Sequence, residues 1–582
     1  MTPRRGEGGY ARGDLLVASL LLLLVLLFFG GVLFGDDCLV TSNMSRWLPW
    51  RLSSTTDEMS RPSFRDDSAE TYFPRRFLSG EEMKAGRVPL WNRYVLCGAP
   101  HLADFQSCVF HPLNVFFLYW VDPLWAMGAF VAVHLFLGGL FLFLFLRRLG
   151  VGPVGSVIGG LSFLFNAYFA TYLGHPVHIS TGCWIPLLLL LVHRCVTEGH
   201  GRRIVPFAVA MTILGGFPQT IFYGLLIAGA YALYLWTGLP GGERRRGALR
   251  LAALAGLVVL GAGLTLFQIA PTAELGGLSE REEIPLERIV DSHMPVPAEL
   301  IRLCLPDFFG NPVDENLWLV AMRGPLPHPS DLGFIGYGGV IPLLLALAAP
   351  FLSRRRERWF FAGLGLLSAL LAFSPFLFSL FYRLVPFARL STEVHRLQFP
   401  FLLATAVLAG LGYEAMRKRA GEGPWRGPAL YVMVWLLTIP AFGGAIFAGG
   451  PALREYASKR LVEIERERGP GILEASVPPV ARWYFRSGHG DNWMRFHGRG
   501  FARYAVLLGA GGAGLLLLRK GGRRAVLGAA ALVAVTAADG WFFSRIYYTP
   551  QPRSSTFADH SLLEKLRNDE SSVRIARVGG NT

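Results

Sequence analysis

Apolar runs of near-helical length recur from end to end of this chain, separated by polar segments of two very different lengths. Thirteen runs read as membrane-crossing helices: 14–35, 124–146, 153–172, 182–196, 204–217, 220–238, 249–268, 332–352, 359–374, 397–416, 428–448, 501–518 and 524–542. A span needs about 20 mostly apolar residues to cross the hydrocarbon layer. The pattern predicts an all-α polytopic membrane protein, and a transmembrane barrel is excluded by the dominance of helical spans. The first run has a basic start (Arg4, Arg5, Arg12), but its apolar core is longer than that of a signal peptide. It reads as a retained helix.

The polar segments sort by length and charge. Short ones hold Arg147–Arg148, His200–Arg203, Glu243–Arg246, Arg354–Arg358, Arg417–Arg419 and Arg519–Arg524. Every compact basic cluster falls on one side of the membrane when the spans are threaded in order, which the positive-inside rule makes the cytoplasmic side. Residues 1–13 are then cytoplasmic and 14–35 is the first span. Residues 36–123 form a long outer loop, and 124–542 the remaining membrane domain. Further outer loops fall at 271–331, 375–396 and 449–500, with an outer tail at 543–582. Function is expected on that looped face.

Composition agrees. Hydrophobic residues make up 52% and charged residues 17% of 582, whereas soluble domains carry about a quarter charged residues. The formal charge of +15 sits in the topology-setting clusters, so nucleic acid is not an expected partner. No internal repeat of fixed period signals an inverted-repeat transporter. The six cysteines show no CxxC or zinc spacing. Cys97 and Cys108 share a loop and are placed to pair in an oxidising compartment; buried free thiols are the alternative.

The richest segment is Arg65–Asn114, RDDSAETYFPRRFLSGEEMKAGRVPLWNRYVLCGAPHLADFQSCVFHPLN. A loop this long is functional or disordered, and this one is too aromatic for disorder. Leu78–Ala85 reads as a short surface helix ended by Gly86, with a second short element after Trp91, because Pro89 and Pro100 block helix continuation. Leu453–Arg468 reads as a solvated helix. Asn43-Met-Ser45 fits a glycosylation sequon and is taken as chance.

Several blocks carry a resemblance. They are Asp67 to Pro74, Ala85 to Tyr94 (AGRVPLWNRY), Gly98 to Ser107, Phe110 to Asn114, His134 to Gly150 and Leu173 to Pro176 (LGHP). Gly215 to Gln219 (GGFPQ), Pro271 to Leu275, Leu305 to Asn311 (LPDFFGN) and His395 to Glu414 continue it. Together they resemble the YfhO family of bacterial polytopic membrane proteins, assigned to the GT-C glycosyltransferase superfamily. The resemblance implies a GT-C-like fold in the bacterial cell membrane. It implies transfer of sugar from a polyprenyl-phosphate-linked donor to an envelope glycan or polymer acceptor on the outer face. Thr71 or Glu70 stands where the family pattern has a Gln, and the tail is shorter than the outer C-terminal domain the resemblance implies.

Such chemistry needs a carboxylate to take the acceptor proton and cations around the leaving phosphate. The resemblance places the catalytic carboxylate at Asp67, with Asp66 beside it; solvated or helix-capping aspartates are the alternative. Asp104 and Gln106 are candidates for holding acceptor hydroxyls, or else loop hydrogen-bond formers. Trp91 and Asn92 are candidates for stacking on and hydrogen-bonding a sugar, or else an interfacial anchor. His175 and His178 cap an outer helix end near the expected site, His175 as a candidate for substrate binding; a metal role would need ligands the two do not complete. Arg389, His395 and Arg396 stand where a lipid phosphate would lie, and Arg suits forked phosphate contacts; a snorkelling Arg is the alternative. No metal-ligand set is legible, and a divalent metal stays open as a cofactor. Asp36–Asp37 reads as the hydrophilic stop to the first span. Two other readings compete: a transporter or flippase of lipid-linked sugars, and a non-catalytic envelope-assembly protein. Among ionisable residues in the spans, His134 and His193 stand out, single or toward helix ends, which speaks against a transporter.

Overall fold

The computed structural model describes residues 12–40, 67–95, 98–278, 285–313, 333–419, 459, 466 and 490–556. Asp66, Cys97, the Asn43 sequon and the span read at 428–448 lie outside these residues. So do most of the Leu453–Arg468 helix and the tail beyond 556.

The molecule is a helical bundle. Among the described residues, eight helices are long and apolar enough to cross a membrane, and a ninth counts if Glu357–Phe373 and Pro375–Leu384, bent by 105° at Ser374, form one span. Prolines open many helices: Pro123, Pro153, Pro176, Pro218 and Pro375 each sit in a first turn. There the missing N–H costs nothing and the fixed φ suits the helix. Basic residues close helices, as at Arg147–Arg148 and Arg417–Arg419, at the negative end of the helix dipole.

Not every predicted span is a full-length crossing. The run at 204–217 is a ten-residue helix, Val205–Leu214. At 1.5 Å per residue it is about 15 Å long, near half the hydrocarbon thickness. Pro153–Thr171 is interrupted at Asn166, whose side chain accepts from the Phe169 N–H and donates to the Phe163 carbonyl. The run at 332–352 is helical only from Val340, and that at 249–268 continues to Leu278 as a second helix from Leu266.

Two elements make the centre. Pro153–Thr171 is 94% buried and Val394–Arg419 is 89% buried, whereas Gly241–Gly263 is 17% buried at the margin. Central helices approach closely through glycine. A Cβ on Gly159 would meet the Ala406 carbonyl oxygen at 2.7 Å, and one on Gly412 would collide with that of Leu345. Small residues allow such contact where no hydrophobic driving force exists between helices in lipid.

The bundle has a basic end and a looped end. At the basic end Arg147 pairs with Asp14 at 2.8 Å, Arg148 pairs with Glu198, and Arg356 donates to Thr237. At the looped end Asp37–Cys38 pairs antiparallel with Gln551–Pro552, and the Trp125 indole donates to the Leu33 carbonyl. Asp36 and Asp37 follow the end of the first helical run at Phe34, and Asp37 also begins this short strand.

In the first loop, the surface helix read at 78–85 is longer and starts earlier, at Phe73–Lys84. A π-helical turn, Ser68–Tyr72, precedes it. The wider turn accommodates Pro74, which has no N–H to return to the preceding carbonyls. Gly86, at φ +70°, lies just beyond its end. The element after Trp91 is a hairpin, Trp91–Asn92 against Ala99–Pro100. The chain then makes a single turn at Phe105–Ser107 and a helix at Pro112–Trp120.

Candidate functional site

The π turn sets Asp67 at its head. The Asp67 carboxylate, 60% exposed, lies 2.9 Å from Nε2 of His175, which is 4% exposed. His175 holds the N-cap position of Pro176–Gly182 but caps nothing with its side chain; its ring turns to the first loop. One turn on, Tyr72 packs edge-on against His175 and donates its hydroxyl to Oε1 of Gln106. Burial pushes the Tyr72 phenol well above its ordinary range; Asp67 adds to the rise, and Arg396 and Arg75 oppose it. Asp104 pairs with Arg75 at 2.7 Å and caps the Phe105–Ser107 turn through the Gln106 N–H.

The second half comes from the membrane helices. Arg396 donates through Nε to the Tyr172 hydroxyl at 3.3 Å and through Nη1 to Oε1 of Gln219 at 3.0 Å, and it stands over the Phe217 ring. His395 Nε2 lies 3.2 Å from the same Tyr172 hydroxyl. Tyr172 stacks on His178, with ring centroids 3.7 Å apart, and His178 Nδ1 meets the Tyr168 hydroxyl at 2.9 Å. Gln219 reaches further, to the Tyr223 hydroxyl and the Glu393 carbonyl. This half exists because the Val205–Leu214 helix stops short. A Cβ on Gly215 would sit 2.6 Å from Thr181, and the Cys108 thiol donates to the Gly215 carbonyl. The first loop therefore dips onto the shortened helix. Irregular backbone at such depth is tolerated where protein buries it or a polar cavity meets it.

Of the sequence candidates, Asp67, Asp104, Gln106, His175, His395 and Arg396 thus join one polar cluster, with His178 behind Tyr172. Trp91 and Asn92 are used within the hairpin: the indole lies over Gly98, and Asn92 accepts from the Tyr94 N–H. Arg389 is exposed on a separate turn, Ala388–Leu390. Cys108 is a buried free thiol at φ +49°. Burial lifts its pKa to about 11, against the pull of Arg76. Among the described residues no three His, Cys, Asp or Glu side chains gather as a metal site.

Sequence reasoning gave no role to Tyr72, Tyr172 or Gln219, although Gln219 closes the GGFPQ block. It also missed a wholly buried group beside the loop. His111 and His134 approach to 3.3 Å, and the Arg76 guanidinium stands 4.1 Å from the Phe130 ring centre. Nor did it mark Asp539, buried in the last helix. Asp539 accepts from the Tyr337 hydroxyl, the Val340 N–H and Arg503.

Comparison with protein-family models, with curated proteins and with solved structures gives no match.

Proposed function

We propose that this chain is a membrane glycosyltransferase of the GT-C kind, similar to the YfhO proteins, working at the looped end of the bundle. Its donor is a polyprenyl-phosphate-linked sugar and its acceptor an envelope glycan or polymer. The observation that carries the reading is the joining of Asp67 to Arg396 in one cluster, through Tyr72, His175 and Tyr172, from opposite parts of the sequence. A half-exposed carboxylate faces a cation set deeper in the bundle.

In the reaction, the acceptor hydroxyl oxygen attacks the anomeric carbon. The bond from that carbon to the phosphate oxygen breaks, its electron pair leaves with the phosphate, and the hydroxyl proton passes to Asp67. His175, held by packing against Tyr72 and Tyr172, positions the Asp67 carboxylate. Arg396 uses two of its five N–H donors on Tyr172 and Gln219, which fixes the plane of the guanidinium. The others suit the leaving phosphate, where charge develops. The basic end is the cytoplasmic face in this reading.

A second reading, translocation of a lipid-linked sugar, is favoured by the breaks at Asn166 and Gly215–Phe217 and by the buried Arg76, His111 and His134. Mass analysis of envelope glycans separates the two. With Asp67→Asn, transfer falls about 10²–10⁴-fold while the protein stays inserted. A normal glycan profile from that variant would remove the enzymatic reading.

A further inference from the structure

The basic end of the bundle holds a cavity that the proposed chemistry does not use. Its volume is about 460 Å³, and it opens where three helix ends meet. The turn after Pro123–Arg148, the turn after Val340–Leu352 and the end of Gln398–Arg419 form its walls. Arg354, Arg355, Lys418 and Arg419 line it, with Glu414 as the single carboxylate.

That carboxylate is already engaged. Glu414 accepts from the Gly152 N–H at 3.1 Å, pairs with Arg417 at 2.7 Å and meets Lys418 at 3.3 Å. Its charge is therefore spent at the cavity's edge. Arg354, Arg355 and Arg419 have no acidic partner among the described residues. Arg355 is also aimed. Its guanidinium lies over Gly150, at φ +78°, where a Cβ would collide with it. The floor is apolar, with Leu149, Val151 and Leu411. Arginines left without carboxylates above an apolar floor, at the end of a membrane bundle, fit a ligand that is anionic at its head and apolar below.

We propose that this cavity binds the phosphate headgroup of an anionic phospholipid, its acyl chains continuing along the bundle. Basic pockets between spanning helices hold such headgroups, and each Lys or Arg near a charged membrane surface contributes roughly fivefold in affinity. A soluble phosphate shares the recognition chemistry but has no use for the apolar floor. The site is independent of the Asp67 cluster, which lies at the other end.

The test uses the full chain in detergent, titrated with phosphatidylglycerol, phosphatidylcholine or inorganic phosphate. Bound lipid is read by native mass spectrometry, and stabilisation by heat unfolding. The variant is Arg354→Gln/Arg355→Gln/Arg419→Gln, whose side chains make no ion pair or hydrogen bond among the described residues. The control is Arg244→Gln/Arg245→Gln/Arg246→Gln, which removes the same charge from a helix start outside the cavity. Phosphatidylglycerol should bind and stabilise the wild-type and control proteins. The cavity variant should bind it on the order of a hundredfold more weakly, with phosphatidylcholine unchanged. Equal losses in both variants would show unspecific charge attraction and overturn the proposal. Displacement of phosphatidylglycerol by millimolar phosphate would assign the cavity to a soluble anion and overturn the lipid reading.

Discussion

Replacing Arg396 by lysine tests the division of labour in the cluster, because it keeps the charge and removes only the fork. Arg396 reaches Tyr172 and Gln219 through two different nitrogens. A lysine ammonium has one nitrogen on a flexible stem and cannot hold both partners and a phosphate in one plane. One charge-assisted hydrogen bond is lost, and such bonds contribute about 1.5–3 kcal/mol. At about 1.4 kcal/mol per factor of ten, the donor kcat/KM should fall about 10- to 100-fold. The acceptor KM should hold, since Asp67 and its loop partners are untouched. The assay is sugar transfer by the protein reconstituted in vesicles, with donor and acceptor titrated separately and heat unfolding as a check on the fold. Unchanged donor dependence in a folded Lys variant would refute the assignment of the phosphate to Arg396. An equal rise in acceptor KM would place Arg396 on the wrong substrate.

Three further outcomes follow from the packing. Asp539→Asn replaces one of two acceptor oxygens with an NH2 donor facing the donors of Tyr337, Val340 and Arg503, and leaves Arg503 without its carboxylate, with only the Asp539 backbone carbonyl to donate to; with Arg503 30% exposed, a loss of about 2–3 kcal/mol is expected in denaturant unfolding. Gly215→Ala forces a Cβ against Thr181, so it should cost about 1–3 kcal/mol and raise maleimide labelling of Cys108. Burial lowers the His101 pKa and drives that of His111 well down. The unfolded chain therefore binds protons at these histidines below about pH 6.5 while the folded chain does not. Stability should fall as pH drops through that value, read as faster proteolysis of the first loop at pH 5; pH-independent cleavage would contradict it.

Much of the bundle was written in local pattern. Apolar runs, proline in first turns and basic helix ends need no tertiary information, and they place most of the described helices. The Val205–Leu214 helix shows where pattern fails. Its apolar run is as continuous as a true span, and it is cut short by Gly215 meeting Thr181 and by Cys108 arriving from another loop. The surface helix began earlier than read because the π turn absorbs Pro74. In the site, family likeness pointed to Asp67 and surface position to Arg396, but their common neighbours Tyr72 and Tyr172 are ordinary aromatics in sequence. Asp539 lies in an apolar run, and its partners Tyr337 and Arg503 are on two other segments.

The small antiparallel pairing between Asp37–Cys38 and Gln551–Pro552 has a temporal meaning. Asp36 also accepts from the Arg553 N–H, and the Cys38 sulfur meets the Thr556 hydroxyl at 3.3 Å. The first described helix is thus clasped by residues that follow the last described helix in the chain. Two residues in a strand cannot form this clasp alone, and closing so long a loop rewards the chain only once the bundle between has assembled. Until residues 551–556 have been made, the first described helix must therefore be retained by lateral contacts with Pro123–Arg148, such as the Arg147–Asp14 pair, and the clasp is a late seal on a bundle already assembled.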